Sequence, residues 1–321
     1  MVMVKTTSRS IPIQDLRLAF GHRLQENVTL AHYTTARVGG PCDALLPVNS
    51  AGELADAAVR LWDLEVPFFI LGGGSNILVS DRGYRGVVVL NRARNVRIDA
   101  RGEPPAVWAE SGANLGAIGR QAAVRGLSGL EWAAAIPGTV GGAVYGNAGA
   151  HGGDVASSLI VAEILHRISG KEAWTCKRMA YQYRSSILKR EAAQAVILSA
   201  TLQLSRSTPE AVKARLEEIS SHRRSTQPPG ASMGSMFKNP AGDFAGRLID
   251  QAGLKGTRIG GAEISTLHGN FFVNRGGASA ADVLALIRLA QRTVADKFGI
   301  SLELEIELVG DWEETETNLA G

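Results

Sequence analysis

Apolar residues recur along this chain at two spacings, and the switches between them delimit its elements. Leu54, Ala57, Ala58 and Leu61 share one face at helical spacing behind Ser50 and Glu53, a capping-box pair, so residues 51–63 are expected to form an amphipathic helix. Val66, Phe68, Phe69, Ile70 and Leu71 make one apolar run and Ile77, Leu78 and Val79 another; both predict buried strands. Further strands are expected at 87–90, 159–165 and 195–204, and a helix at about 114–125, stopped by Gly126.

The pattern changes after residue 205. Thr208, Pro209 and Glu210 supply a cap, a first-turn proline and a first-turn carboxylate for a helix with Val212, Leu216 and Ile219 on one face. A Pro/Gly/Ser-rich loop at 225–234 is expected to deliver Ser235, and a short helix to cover 244–252. A long helix is expected at 280–298, with Val283, Ile287, Ala290, Val294 and Phe298 as its stripe and Gly299 as its stop. Leu302, Leu304, Ile306 and Leu308 alternate with Glu303, Glu305 and Glu307, which predicts a strand with one core face and one face of three carboxylates. At about 7 Å apart, these would repel one another enough to leave Glu305 protonated where water is excluded; a solvated acidic edge is the alternative.

Two glycine clusters carry the candidate chemistry. Gly72, Gly73 and Gly74 join the two apolar runs and are followed by Ser75 and Asn76. Either a plain turn or a cradle of bare amides for a pyrophosphate fits this stretch. A dinucleotide fingerprint would need glycine where Ile77 stands, and the Gly-Lys-Ser/Thr of a Walker loop is absent. The second cluster contains Ile136, Pro137, Gly138, Thr139, Val140, Gly141, Gly142 and Ala143. Across 130–147 Glu131 is the one charged residue, so this backbone is expected to pack against a flat or extended ligand.

The order of blocks Thr34-Thr35-Ala36-Arg37-Val38-Gly39-Gly40, the 72–76 loop, the 136–142 turn, Tyr183-Arg184-Ser185-Ser186, Gly234-Ser235-Met236-Phe237-Lys238-Asn239-Pro240 and Leu302-Glu303-Leu304-Glu305 resembles the UDP-N-acetylenolpyruvoylglucosamine reductase family. The resemblance runs from about residue 27 to residue 310. It implies an α+β fold: a two-part FAD-binding unit of the PCMH or vanillyl-alcohol-oxidase-like type, with subdomains at 1–90, joined by a C-terminal strand within 300–321, and at 91–205. A substrate-binding domain at 206–299 completes it.

The resemblance also implies non-covalent FAD, NADPH as co-substrate, and reduction of UDP-N-acetylglucosamine enolpyruvate to UDP-N-acetylmuramate for the bacterial cell wall. NADPH would reduce the flavin and leave, and hydride would then reach the enolpyruvyl double bond, putting negative charge beside the carboxylate. Ser235 matches the family's proton donor, and Arg184 and Glu305 match the pair that polarises the substrate carboxylate. Arg37, Gly72, Gly73, Gly74, Ser75, Asn76, Pro137, Gly138, Thr139, Gly141, Gly142 and Ala143 match flavin-binding positions. Tyr183 and Asn239 match substrate-binding ones, with Lys238 as a further anchor.

Three departures qualify the match. Gln227 replaces a family lysine, and Glu307 replaces an arginine found in some members, so a diphosphate would have to be held by Arg223, Arg224 or Lys238. All five tyrosines, Tyr33, Tyr84, Tyr145, Tyr181 and Tyr183, precede Arg184, which resembles the shorter subclass without a tyrosine-bearing lid insertion.

Composition narrows the partners. With 34 basic and 31 acidic residues the net charge is +3, too small to imply nucleic acid, and no apolar run is long enough to span a membrane. Small-molecule substrates, a cytoplasmic location and a monomer are the expectations. Cys42 and Cys176 are expected to be buried free thiols, and His32, His151 and His268 to be ordinary polar groups with no metal role. A flavin oxidase on the same architecture, or a non-catalytic nucleotide-binding module, would also accommodate the glycine loops.

Overall fold

The structure, a computed structural model, describes residues 3–4 and 11–312. Residues 1–2, 5–10 and 313–321, which belong to the expected first subdomain and C-terminal segment, lie outside the described residues.

The first sheet orders its strands Gln25–Thr29, Pro41–Val48, Tyr84–Asn91 and Phe68–Leu71. Tyr84–Asn91 is paired in parallel on both sides, which explains its nearly unbroken apolar and buried sequence. The helix Ala51–Asp63 covers this sheet and buries Leu54, Ala57, Ala58 and Leu61, each leucine contributing about 1.5–3 kcal/mol by leaving water. Ser50 accepts from the Glu53 amide as expected, but the Glu53 carboxylate takes the amide of Asn49 instead of that of Ser50, so the capping box is half formed.

The second sheet is antiparallel and has five strands, Gly170–Trp174, Leu159–His166, Ala195–Gln203, Ala106–Glu110 and Val96–Asp99. Its Leu165, Val196 and Leu198 join Leu54, Leu61, Val87 and Val89 in one core, so the helix Ala51–Asp63 is packed between the two sheets. The other face holds Val107, Ile118, Leu130, Val140 and Val144, and Asn114 caps the helix Leu115–Val124 by accepting from the Ala117 amide at 2.7 Å.

A third sheet, all parallel, places Glu307–Val309 between Met3–Val4 and Ile77–Val79. The two apolar runs flanking the first glycine cluster therefore enter different sheets, and the loop between them is where the chain crosses over. A fourth sheet, Ala231–Ser235, Phe271–Asn274, Ala262–Ile264 and Arg258–Ile259, packs with the helices Ala245–Gln251 and Ala280–Phe298 around Leu248, Ile264, Phe272, Ile287 and Val294.

Several expectations about this later region are corrected. The helix begun by Thr208 and Pro209 continues to Thr226, because neither glycine nor proline interrupts it before Pro228, and the hydroxyls of Ser225 and Thr226 donate to the His222 carbonyl. Ala231–Ser235 is a strand, so Ser235 ends a sheet edge instead of a loop. Phe298 is 37% exposed at the end of its helix, although Val283, Ile287, Ala290 and Val294 are buried. The expected strand at 302–308 is reduced to Glu307–Val309, since Leu304 bridges to Phe237 and draws the preceding residues toward a different neighbour. Cys42 is buried and free, its thiol pushed up to about 11 mainly by burial; Cys176 is free and only half-buried.

Candidate active site

The two glycine clusters meet face to face. A Cβ on Gly72 would lie 2.5 Å from Thr139 Oγ1, and one on Gly73 would lie 3.3 Å from the Gly138 Cα, so their absence lets the loops touch. Gly74 alone of the three has a positive φ, +60°, and a Cβ there would lie 2.1 Å from the Tyr33 carbonyl oxygen. Thr35 holds that turn by donating its amide to the Gly74 carbonyl at 3.0 Å. Ser75 Oγ donates to the Pro137 carbonyl at 3.3 Å, closing the junction.

This junction floors a cleft of about 870 Å³. Gly72, Gly73, Gly74, Ser75, Asn76, Pro137, Gly138, Thr139, Gly141, Gly142, Ala143, Arg184, Ser235 and Glu305 all line it, so residues spread over most of the sequence converge there. The amides of Gly72, Gly73, Gly74, Ser75 and Asn76 have no acceptor among the described residues, which leaves a row of donors suited to a pyrophosphate. Beyond the glycine floor the lining continues to Phe68–Leu71 and residues 192–197. The residues therefore fit FAD.

Arg184, Glu305 and Ser235 are brought to the cleft by separate elements. Arg184 sits in a tight turn closed by Gln182 and Ser185, with φ +55°, an uncommon conformation for arginine that marks a constrained position. Its Nη1 donates to the Gly149 carbonyl at 2.6 Å, and its Nε lies 3.0 Å from Glu305 Oε1 without an aligned hydrogen bond. The Glu305 amide donates to the Met236 carbonyl at 3.0 Å, which sets Glu305 beside the end of the strand that carries Ser235. Gly234, at φ +80°, lies in the irregular stretch of pairing between Ser232 and Ser235.

The three carboxylates of the C-terminal segment do not form a mutually repelling row. Glu303 pairs with Lys238 at 2.7 Å, Glu305 with Arg184, and Glu307 with Lys189 at 3.1 Å. The Glu305 carboxyl is nevertheless held above the ordinary carboxylate range, chiefly by burial, with Arg184, Lys189 and Lys238 pulling the other way. The expected direction is correct and the expected cause is not.

Four of the other residues singled out in the sequence stand off the cleft wall. Arg37 is exposed, with φ +55°, beside a separate small recess shared with Ala31, His32 and Thr34. Tyr183 is 56% exposed, its ring centroid 5.5 Å from the Arg184 guanidinium. Lys238 is engaged by Glu303, and Asn239 Oδ1 accepts from the Ala245 amide at the start of a helix. Of the cations considered for a diphosphate, Arg223 lines the cleft together with Gln227, whereas Arg224 is exposed and off it.

Lys189 and Tyr145 also line the cleft and were not anticipated. Ser186 caps the one-turn helix Ile187–Arg190 that carries Lys189, and this cap is legible, but a lysine in a last turn ordinarily reads as solvated. Burial, aided by the charge of Glu307, pushes the Tyr145 phenol upward.

A family model described as an FAD binding domain matches residues 42–166, the stretch that supplies both glycine clusters. Fold and cleft thus define a flavin-binding protein of α+β architecture. A second model, described as the C-terminal domain of UDP-N-acetylenolpyruvoylglucosamine reductase, matches residues 226–309. UDP-N-acetylenolpyruvoylglucosamine reductase of Chloroflexus aggregans is 43% identical over 289 residues, covering 89% of this chain and 97% of that protein. The enzyme of the same name from Bacillus subtilis is 40% identical over 299 residues, covering 93% and 98%. The crystal structure of the Thermus caldophilus reductase superposes with a TM-score of 0.76 at 38% identity, over 89% of this chain and 99% of that one. The chain belongs to the UDP-N-acetylenolpyruvoylglucosamine reductase family.

Proposed function

We propose that this protein reduces UDP-N-acetylglucosamine enolpyruvate to UDP-N-acetylmuramate at the expense of NADPH, a step in making peptidoglycan precursors. FAD, when bound, would supply the hydride for the enolpyruvyl double bond after reduction by NADPH. The observation that carries the proposal is the half-buried Arg184–Glu305 pair, set at 3.0 Å within the cleft floored by the glycine junction.

In this assignment Arg184 meets the substrate carboxylate with its guanidinium, and Glu305, carrying a proton, donates a hydrogen bond to it. Together they disperse the negative charge that builds up on the carbon beside that carboxylate. Ser235 Oγ gives its proton to this carbon, and water restores the hydroxyl. The free amides of Gly72, Gly73, Gly74, Ser75 and Asn76 bind the flavin pyrophosphate, with Pro137, Gly138, Thr139, Gly141, Gly142 and Ala143 forming the opposite wall. Of the three cations considered for the substrate diphosphate, Arg223 is the one that lines the cleft and is assigned to it.

We assign residues 1–90 with the C-terminal strand, and 91–205, to flavin binding, and 206–299 to the substrate. We further assign the shorter, lid-less subclass, a cytoplasmic location and a monomer. Among the described residues no helix is long and apolar enough to cross a membrane. Anaerobic incubation of the yellow holoprotein with NADPH and the enolpyruvyl substrate tests the activity. One product molecule, heavier by H2, is expected per NADPH oxidised, and flavin reduction without product would refute the assignment.

A further inference from the structure

Four charged side chains face one another across the cleft in two pairs. Arg184 and Glu305 are 23% and 18% exposed, and Lys189 and Glu307 only 9% and 12%. Arg184, Lys189, Glu305 and Glu307 all line the cleft, and the charge of Lys189 reaches Glu305 as well as its partner Glu307. The sequence places an acid at 307 where some family members have an arginine, and the structure supplies a buried cation opposite it.

We propose that Lys189 and Glu307 are a positioning pair for the reduction, a compensated cation and anion that fix the net charge facing Glu305 and keep a proton on its carboxyl. The inference rests on the assignment of Glu305 as the proton-bearing partner of the substrate. Around Glu305 stand Arg184 from its turn, Lys189 from the one-turn helix and Lys238 from the segment after Ser235; its own segment adds Glu303 and Glu307. Glu303 is 67% exposed and already spent on Lys238, so it weighs little. Tyr145 contributes a neutral phenol beside Glu307.

Removing either member of the pair therefore changes the charge near Glu305 in a known direction. Without Glu307, Lys189 becomes an uncompensated cation beside Arg184 and favours the carboxylate. Without Lys189, Glu307 becomes a second buried anion and favours the acid. Burial holds Glu305 above the ordinary carboxylate range, and Lys189 is one of three cations that pull against it.

The test uses the oxidised holoenzyme with carbon-13 in its glutamate side-chain carboxyls, the Glu305 signal being the one lost in Glu305→Gln. Its titration midpoint is expected to fall by about one to two pH units in Glu307→Gln and to rise by a similar amount in Lys189→Met. The alkaline limb of flavin reoxidation by the enolpyruvyl substrate should move in the same directions. Midpoints that stay still, or move the same way in both variants, overturn the proposal; should Lys189→Met not fold, Glu307→Gln alone decides. A Glu305→Gln enzyme that reoxidises at the parental rate would overturn the role of Glu305 and the proposal with it. A slow Glu305→Gln enzyme with unmoved midpoints overturns the pair alone.

Discussion

Asn76 Nδ2 donates to the main-chain carbonyl of Glu305 at 3.2 Å, across a sequence separation of 229 residues. The Glu307 amide returns a bond to the Asn76 carbonyl at 3.0 Å, so the end of the glycine loop and the segment bearing the proposed acid are clipped together twice. The glycine loop and the segment bearing Glu305 are thus fixed with respect to each other by one side-chain and one main-chain hydrogen bond.

Two glycines of that loop, Gly73 and Gly74, should differ when tested. Gly73→Ala brings a Cβ to 3.3 Å from Gly138, a tight contact that the neighbouring loop can relieve by yielding a few tenths of an ångström. It is expected to lower flavin occupancy with little change in Tm. Gly74→Ala would put a Cβ on the Tyr33 carbonyl at φ +60° and should cost stability, about 1–3 kcal/mol. Flavin absorbance per protein and thermal denaturation, measured on both variants, separate the two; equal Tm losses would count against the distinction.

Glu305→Gln keeps a hydrogen-bond donor where Glu305→Ala keeps none. Substrate reduction should fall about tenfold in the first and about a hundredfold or more in the second. Because burial raises Glu305, its protonated form is present below the raised value and lost above it. The parent should therefore slow as pH rises through that value, and the glutamine variant, which has no proton to lose, should not. Equal damage in both variants with intact folding would show that the protonated form is not used.

The helix Ala280–Phe298 could be read to the residue, because Ser279 caps it, Gly299 ends it at φ +68° and its apolar stripe repeats locally. The glycine loops were legible as loops, since bare backbone between apolar runs has few other uses. Their individual roles were not: Gly72 and Gly73 make room for another loop, and only Gly74 needs a left-handed backbone. Charge partners were the least legible. Glu305 with Arg184 and Glu307 with Lys189 join segments more than a hundred residues apart, and alternation along 302–308 says which way a carboxylate points but not what awaits it. The family resemblance supplied Arg184, and nothing local supplied Lys189.

Glu263 offers a check on the fourth sheet. It is 2% exposed and held by Arg275 Nη2 at 2.6 Å and by Arg258, contacts that keep its carboxyl below the ordinary range, Arg275 contributing most. A depressed carboxyl contributes stability above the ordinary value of 4.5, and that contribution disappears as pH falls through the lower folded value. Glu263→Gln should lose about 1.5–3 kcal/mol at neutral pH. Denaturant unfolding should show the gap narrowing below about pH 4.5; a gap independent of pH would assign the loss to packing.

Ser235 separates the two halves of the reaction. Transfer from NADPH to flavin asks nothing of a proton donor to the enolpyruvyl carbon, so Ser235→Ala should bleach its flavin with NADPH at close to the parental rate. The strand Ala231–Ser235 pairs through its backbone, and alanine fits that ladder, so the fold and the Glu305 contact to Met236 should persist. Reoxidation by the enolpyruvyl substrate should slow by about a hundredfold or more, near 3 kcal/mol of barrier, the typical loss of a positioned acid. Anaerobic stopped-flow absorbance follows both phases in one preparation. A Ser235→Ala enzyme slowed only in the NADPH phase, or in neither, would leave Ser235 as an ordinary strand-end residue and require the proton to come from elsewhere in the cleft.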